Sequence, residues 1–132
     1  PFAIKGVMSV EDAKRAVQIG ASAIMLSNHG GRQLDGSRAP FDQLPAIADA
    51  VGGKVEIIID GGIRRGTHIL KALSLGATAC SFGKGYLFGL GAGGLKGVEA
   101  VLQKMHDEIR RDMILLGCKS VKDLNKSNVA FR

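Results

Sequence analysis

The chain has 132 residues, of which 45% are hydrophobic and 23% charged, so it is long enough to bury the core of one globular domain. Its net charge is +6, but the basic residues are scattered and aromatic residues make up only 5%, a pattern that suits an anionic small molecule better than nucleic acid. No stretch approaches the roughly 20 apolar residues of a membrane span, and the first residues do not resemble a signal peptide.

Four short, nearly continuous apolar segments predict β-strands. They span residues 3–7, 22–27, 55–59 and 78–82. Segments of this kind are typical of parallel strands that are covered on both faces.

A helical pattern follows each predicted strand. Ser9 and Asp42 are predicted to open the first two helices, which end at Gly20 and at Gly52–Gly53. Asp12, three residues after Ser9, stands where a capping box would have Glu. The sequence therefore predicts helices between the first and third strands.

Two further helices complete the pattern. The third is predicted from about Gly66 to Leu75 and ends at Gly76, with four residues facing inward: Ile69, Leu70, Ala72 and Leu73. The last ends at Gly117 and carries an apolar stripe at helical spacing: Val98, Val101, Leu102, Met105, Ile109, Met113 and Leu116.

The resulting order is βαβαβαβα, which is typical of an α/β fold with parallel strands. An open doubly wound sheet is one possible architecture and a TIM (β/α)8 barrel is the other. A complete barrel takes about 250 residues, so four units correspond to half of one. Because four strands leave two exposed edges, we expect a missing half, a second copy or another polypeptide to close the barrel.

Two glycine-rich segments with cations follow the third and fourth strands. Asp60–Gly66 has the sequence DGGIRRG, and Gly83–Gly85 has the sequence GKG. Glycine lets backbone amides approach an anion, Arg64 can clamp a phosphate with two hydrogen bonds, and a helix N-terminus adds a favourable dipole. Either segment could be an ordinary turn, but two in consecutive units favour a phosphate site.

The loop after the second strand carries candidate catalytic groups. His29 and Arg32 lie in the sequence SNHGGRQLDG. An imidazole can accept a proton near neutral pH, and a guanidinium can bind a carboxylate in a planar fork. Lys5, in the first strand, either stabilises negative charge on a bound ring or is an edge residue. His68 and His106 lie on predicted helices and are interpreted as surface residues.

Together these motifs resemble the FMN-dependent 2-hydroxy-acid dehydrogenase/oxidase family, which includes glycolate oxidase, lactate oxidase, flavocytochrome b2 and mandelate dehydrogenase. The resemblance covers essentially the whole chain and rests on Ile4–Val7, Ser27–Gly36, Asp60–Gly66 and Gly117–Cys118. It implies that this chain, residues 1–132, is the C-terminal half of the barrel, with strands five to eight.

The resemblance also implies a role for each matching residue. His29 would be the general base and Arg32 would bind the carboxylate of a small L-2-hydroxy acid, which is oxidised to the 2-keto acid. Lys5 would contact the N1/O2 edge of FMN. The other residues expected to bind FMN are Ser27, Asp60, Gly61, Gly62, Ile63, Arg64, Gly83 and Lys84.

Two departures from the family pattern matter. The family usually has Gly-Arg at Gly83–Lys84, and lysine keeps the charge but lacks the two-point fork. The first four β/α units, with the aspartate expected to orient His29, are not in this sequence. We therefore expect residues 1–132 alone to bind FMN weakly and to be nearly inactive.

Two other functions are compatible with parts of the sequence. A non-catalytic phosphate-binding or assembly module would use the glycine-rich segments but give His29 and Arg32 no task. An FMN barrel of the isopentenyl-diphosphate isomerase kind would have no carboxylate for Arg32 to bind. The widely spaced Cys80 and Cys118 predict reduced thiols and a cytoplasmic protein, with peripheral membrane association in a dehydrogenase-type member. The resemblance implies a homo-oligomer for the full-length protein.

Overall fold

Four parallel strands form a single sheet in the computed structural model, which describes residues 1–130. The strands are β1 (Ala3–Lys5), β2 (Ala23–Leu26), β3 (Glu56–Asp60) and β4 (Ala79–Ser81). Each strand pairs with the one that precedes it in the chain, so the order is β1-β2-β3-β4. This uninterrupted order is that of successive barrel units, whereas a doubly wound sheet reverses its strand order.

Helices follow all four strands, as predicted. They are α1 (Val10–Gln18), α2 (Pro40–Val51), α3 (Gly66–Ser74) and α4 (Lys84–Leu116), with short 3-10 turns at His29–Gly31, Val121–Asp123 and Lys126–Asn128.

The predicted start of the first helix at Ser9 is confirmed, whereas the capping-box role of Asp12 and the start of the second helix at Asp42 are wrong. The Ser9 side chain caps α1 by accepting a hydrogen bond from the Asp12 amide at 3.1 Å. The Asp12 carboxylate accepts from the Ser9 hydroxyl at 2.9 Å, so it does not reach back to the backbone as in a capping box. Helix α2 begins at Pro40 rather than at Asp42, since proline suits the first turn of a helix.

The last helix extends further toward the N-terminus than the predicted apolar stripe, which starts at Val98. Helix α4 begins at Lys84, directly after β4, and is interrupted by non-helical backbone at Gly93 and Gly94. The two parts touch where Gly89 lies against Gly97, and a Cβ atom on Gly89 would lie 2.6 Å from the Gly97 carbonyl oxygen. The segment therefore forms a helical hairpin in which Lys84 belongs to the first turn of a helix.

The core lies between one face of the sheet and the helices. Ile24, Leu26, Ile57 and Ile59 are almost completely buried there, together with residues of α1, α2 and α3: Ala13, Ala16, Leu44, Ile47, Val51 and Ala72. On the opposite face, Met25 and Ile58 are only half-buried. The apolar sequences of the strands predict a sheet that is covered on both faces, but the described residues cover only one face of the sheet.

The apolar stripe of α4 is only partly buried, which corrects the sequence prediction. Met105 is buried against the rest of the chain, whereas Leu102 is 49% exposed and Leu116 is 43% exposed. Helix α4 packs mainly against α3. The part of its stripe that carries Leu102 and Leu116 is left largely exposed within residues 1–130. Across the same residues, no helix combines the length and the apolarity that crossing a bilayer requires.

Candidate active site

A cavity of about 700 Å³ opens where the four strands end. Parallel strands bring their C-terminal ends to the same edge of a sheet, which is why residues distant in sequence meet there. The cavity is lined by all the residues predicted to form the site except Ser27: Lys5, His29, Arg32, Asp60, Gly61, Gly62, Ile63, Arg64, Gly83 and Lys84.

Ser27 lies just beneath the cavity and joins three strand ends. It is 1% exposed, donates a hydrogen bond to Asp60 Oδ2 at 2.7 Å and accepts one from Lys5 Nζ at 3.0 Å. Its hydroxyl oxygen also accepts from the His29 amide at 3.1 Å. These three bonds use the full capacity of a hydroxyl group. The sequence did not reveal this linking role, and contact between Ser27 and a cofactor stays a prediction.

Asp60 and Lys5 form an ion pair at the floor of the cavity. Lys5 Nζ lies 2.9 Å from Asp60 Oδ2. Burial alone would raise the pKa of Asp60, but hydrogen bonds from Ser27, Lys5 and Ser81 and the positive charge of Lys5 together lower it. Asp60 is therefore ionised at neutral pH, and its negative charge offsets part of the positive charge that Lys5 presents to a ligand.

His29 has a left-handed backbone conformation, with φ of 55°, which is uncommon for residues other than glycine. The hydrogen bond from the His29 amide to the Ser27 hydroxyl stabilises this conformation. Its imidazole lies against Gly6, because a Cβ atom at Gly6 would be 3.0 Å from His29 Cε1. The ends of β1 and β2 thus fix the position of the imidazole together.

The loop from His29 to Arg32 is shaped by Asn28. The Asn28 side chain accepts a hydrogen bond from the Gly30 amide at 3.1 Å and donates one to the Arg38 carbonyl oxygen at 3.2 Å. Arg32 follows the resulting 3-10 turn and lies at the cavity. Asn28 was not among the predicted site residues, although an asparagine side chain commonly accepts from the backbone two residues on and so marks a turn.

The two consecutive arginines after β3 lie in different places. Arg64 lines the cavity, whereas Arg65 donates from Nε and Nη2 to Glu108 Oε1 on α4, at 3.1 and 3.0 Å. The Gly66 amide donates to Glu108 Oε2 at 2.8 Å. The first amide of α3 is thus bound by a carboxylate of the same chain, which corrects the prediction that this helix N-terminus serves an anion in the cavity.

The helix N-terminus that does face the cavity belongs to α4. Gly83 and Lys84 both line the cavity, and α4 starts at Lys84. The Lys84 side chain reaches the loop after β2, since its Nζ would lie 3.8 Å from a Cβ atom on Gly30. The positive end of the α4 dipole and the Lys84 ammonium group therefore both contribute positive charge at the same part of the cavity.

The other two histidines lie away from the cavity lining. His106 is exposed on α4, as predicted. His68 lies on α3 as predicted and is half-exposed, and its Nδ1 accepts a hydrogen bond from the Arg64 amide at 3.3 Å, a contact that the sequence did not reveal. The imidazole of His68 helps to shape the segment that carries Arg64.

Comparison with known proteins places these features in context. The profile of the family described as FMN-dependent dehydrogenase matches residues 1–131. L-lactate oxidase of Lactobacillus jensenii is 48% identical over 129 residues, which are 98% of this chain and 32% of that protein. Pre-mycofactocin synthase of Mycobacterium tuberculosis is 51% identical over 129 residues, again 98% of this chain and 33% of that protein.

Solved structures agree with the fold. The crystal structure of mandelate oxidase with benzoyl-formic acid matches with a TM-score of 0.91 and 45% identity over 96% of this chain and 38% of that chain. The prediction of half a TIM barrel is confirmed by this match and by the four parallel strands in sequential order. The chain spans about a third of the length of the curated relatives it matches.

Proposed function

Since the chain belongs to the FMN-dependent dehydrogenase family, we propose that it supplies half of the active site of an enzyme that oxidises a small L-2-hydroxy acid to the 2-keto acid. FMN, the predicted cofactor, is the cofactor of this family. One observation supports the proposal above all others. His29 and Arg32 line the same cavity as Arg64 and Lys84, so an acid–base group and a carboxylate ligand face two candidate phosphate ligands.

The residues around the cavity fit FMN. A flavin mononucleotide has a phosphate dianion at one end and a polar ring edge at the other. Arg64, Lys84 and the first turn of α4 match the phosphate in charge and hydrogen-bonding capacity. At Gly61 and Gly62 an added Cβ atom would meet no other atom of residues 1–130 within 4 Å, so there is space for a ligand beside this backbone. The Gly61 amide itself donates to the Ser81 carbonyl oxygen at 3.3 Å.

Different residues of this chain bind the substrate, accept its proton and contact the cofactor. When bound, FMN supplies the acceptor for the two electrons that leave the hydroxy acid. Arg32 holds the substrate carboxylate, and the His29 imidazole accepts the proton that the substrate loses. Lys5 offers its charge to the ring edge, while Asp60 and Ser27 keep its ammonium group in place.

The remaining part of the barrel belongs to the same proposal. Within residues 1–130, β1 and β4 each pair on one side only, and the inner face of the sheet is half-exposed at Met25 and Ile58. We propose that further β/α units close the barrel over this face. A homo-oligomeric full-length protein and a cytoplasmic location stay predictions.

A His29→Gln variant tests the catalytic part of the proposal in the full polypeptide that carries residues 1–132. We expect the visible absorbance of bound flavin to be retained and turnover to fall by about 10²–10⁴-fold, the usual contribution of a general base. His106→Gln, on the exposed side of α4, is the matched control and should leave turnover unchanged. Equal turnover in the two variants would remove His29 from the mechanism.

The substrate class needs a separate experiment because the similar proteins have different names. L-lactate oxidase and mandelate oxidase are named for hydroxy acids, whereas pre-mycofactocin synthase is not. Anaerobic mixing with L-lactate, glycolate or L-mandelate should bleach the flavin absorbance in at least one case. If no hydroxy acid bleaches the flavin, the proposed oxidation is wrong, and a synthase or a non-catalytic phosphate-binding module becomes the better assignment.

A further inference from the structure

The carboxylate of Glu108 lies outside the cavity but binds the residues that follow Arg64. Glu108 is 5% exposed, and its two carboxylate oxygens accept hydrogen bonds from different donors. Oε1 accepts two hydrogen bonds from the Arg65 guanidinium, and Oε2 accepts one from the Gly66 amide. Both contacts begin within two residues of Arg64, which lines the cavity.

The backbones of α3 and α4 touch at the same point. A Cβ atom at Gly66 would lie 2.7 Å from the Ile109 amide nitrogen and 2.8 Å from Glu108 Cβ. The start of α3 therefore has no room to shift toward α4. Glu108 prevents movement in the opposite direction, because its carboxylate holds the Arg65 side chain and the Gly66 amide at once.

A second carboxylate on α4 binds α3 but does not reach the cavity segment. Asp112 accepts a hydrogen bond from the Thr67 hydroxyl at 2.5 Å and pairs with Arg111. Asp112 lies one helical turn after Glu108, and Thr67 is a residue further from Arg64 than Gly66 is. Asp112 thus joins the two helices in a similar way without contacting the residue next to Arg64.

We propose that Glu108 is a positioning residue for the phosphate of FMN. Its carboxylate keeps the Arg65 side chain outside the cavity and fixes the backbone next to Arg64. Of the two arginines only Arg64 then reaches the cavity, so its guanidinium meets the phosphate in a fixed geometry. This inference rests on the proposed FMN site at the cavity. It assigns a cofactor-selecting role to a residue that would not touch the cofactor.

Replacement by glutamine separates positioning from simple electrostatics. In the structure Arg65 and Gly66 donate to different oxygens of Glu108. A glutamine at 108 keeps an acceptor at only one of these two positions, and its NH₂ group would face the donor at the other. Glu108→Gln also removes a negative charge near the phosphate ligands, which by Coulomb attraction alone would tighten FMN binding. Loss of positioning weakens binding instead, so the two effects have opposite signs.

The test measures dissociation constants for FMN and for riboflavin, which lacks the phosphate, on the deflavinated full polypeptide. We expect Glu108→Gln to raise the FMN constant about tenfold, as for loss of one hydrogen bond to a charged group. The riboflavin constant should change less than about threefold, since ring contacts are not altered. Asp112→Asn is the matched control and should leave the ratio of the two constants unchanged even where it lowers the melting temperature.

Each outcome has a definite meaning. Tighter FMN binding, an unchanged ratio, or an equal change of the ratio in Asp112→Asn would overturn the inference. If the unmodified protein does not prefer FMN to riboflavin, the proposed cofactor site itself is wrong, which is a different failure. Should Glu108→Gln not fold, Arg65→Lys provides the same test, because it keeps the charge but loses the two donors to Oε1. That variant should shift the ratio in the same direction by about threefold.

Discussion

Replacing Ser27 with alanine should affect both stability and catalysis, because its hydroxyl joins three strand ends. The Lys5–Asp60 ion pair survives, since these residues contact each other directly at 2.9 Å. The His29 amide loses its acceptor and Asp60 loses one donor. An unsatisfied amide costs about 1–3 kcal/mol and a hydrogen bond to a charged group contributes about 1.5–3 kcal/mol. Water reaches part of this network, so the low end of each range applies. We expect the free energy of unfolding to fall by about 2–3 kcal/mol.

Urea unfolding and steady-state turnover of the flavin-loaded full polypeptide would measure the two effects of Ser27→Ala. His29 should move once its amide is released from the Ser27 hydroxyl, and a misplaced base lowers turnover by about 10–100-fold. Ser74→Ala is the control, because Ser74 is also buried but lies on α3 away from the cavity. The reasoning is refuted if the Ser27 and Ser74 variants lose equal stability and both keep full turnover.

Three further predictions concern acid stability, the phosphate and helix packing. Burial alone would raise the pKa of Glu108, but hydrogen bonds from Arg65 and Gly66 and the charge of Arg65 more than offset it, so the pKa is below its ordinary value. A hydrogen bond from Thr67 likewise lowers the pKa of Asp112. In acid the folded protein therefore binds fewer protons than the unfolded protein. The stability that these two carboxylates contribute should be complete above about pH 5 and should be lost as the pH falls through their lowered pKa values. Acid titration of unfolding should show a shallower loss of stability in Glu108→Gln. Lys84→Met should weaken FMN binding about tenfold and riboflavin binding little, while Lys84→Arg should bind FMN at least as tightly as the unmodified protein, as measured by fluorescence titration. Gly66→Ala should destabilise by about 1–3 kcal/mol because its Cβ atom would overlap the α4 backbone, whereas Gly91→Ala, where the side chain meets open space, should stabilise slightly in thermal unfolding.

Most of the fold could be predicted because strand and helix periodicity is local. The four strands, the Ser9 cap and the end of α4 at Gly117 were all visible in short windows of sequence. The first part of α4 was not, because its many glycines indicate a loop. In the structure, Gly89 and Gly97 instead let two helical segments approach until their backbones touch. That contact depends on tertiary packing, which propensity does not describe.

The polar residues at the strand ends could be predicted to converge, because parallel strands end at one edge. Their mutual contacts could not. The bond from Ser27 to Asp60 spans 33 positions, and the bond from Gly66 to Glu108 spans 42. Nothing in either local sequence distinguishes such residues from other polar residues near a strand or on a helix. The left-handed backbone of His29 was equally hidden, since its cause is an acceptor provided by Ser27 and space provided by Gly6.

The pair Arg64–Arg65 shows what decides the function of adjacent identical residues. Two neighbouring guanidiniums at the start of a helix have the same chemistry, and Arg64 is the one predicted to bind the phosphate. A buried carboxylate on another helix makes the difference, because Glu108 engages Arg65 and leaves Arg64 at the cavity. Glu108 and Asp112 are four residues apart and so lie on one face of α4. Only the tertiary structure shows that this face meets donors at the start of α3, namely Arg65, Gly66 and Thr67.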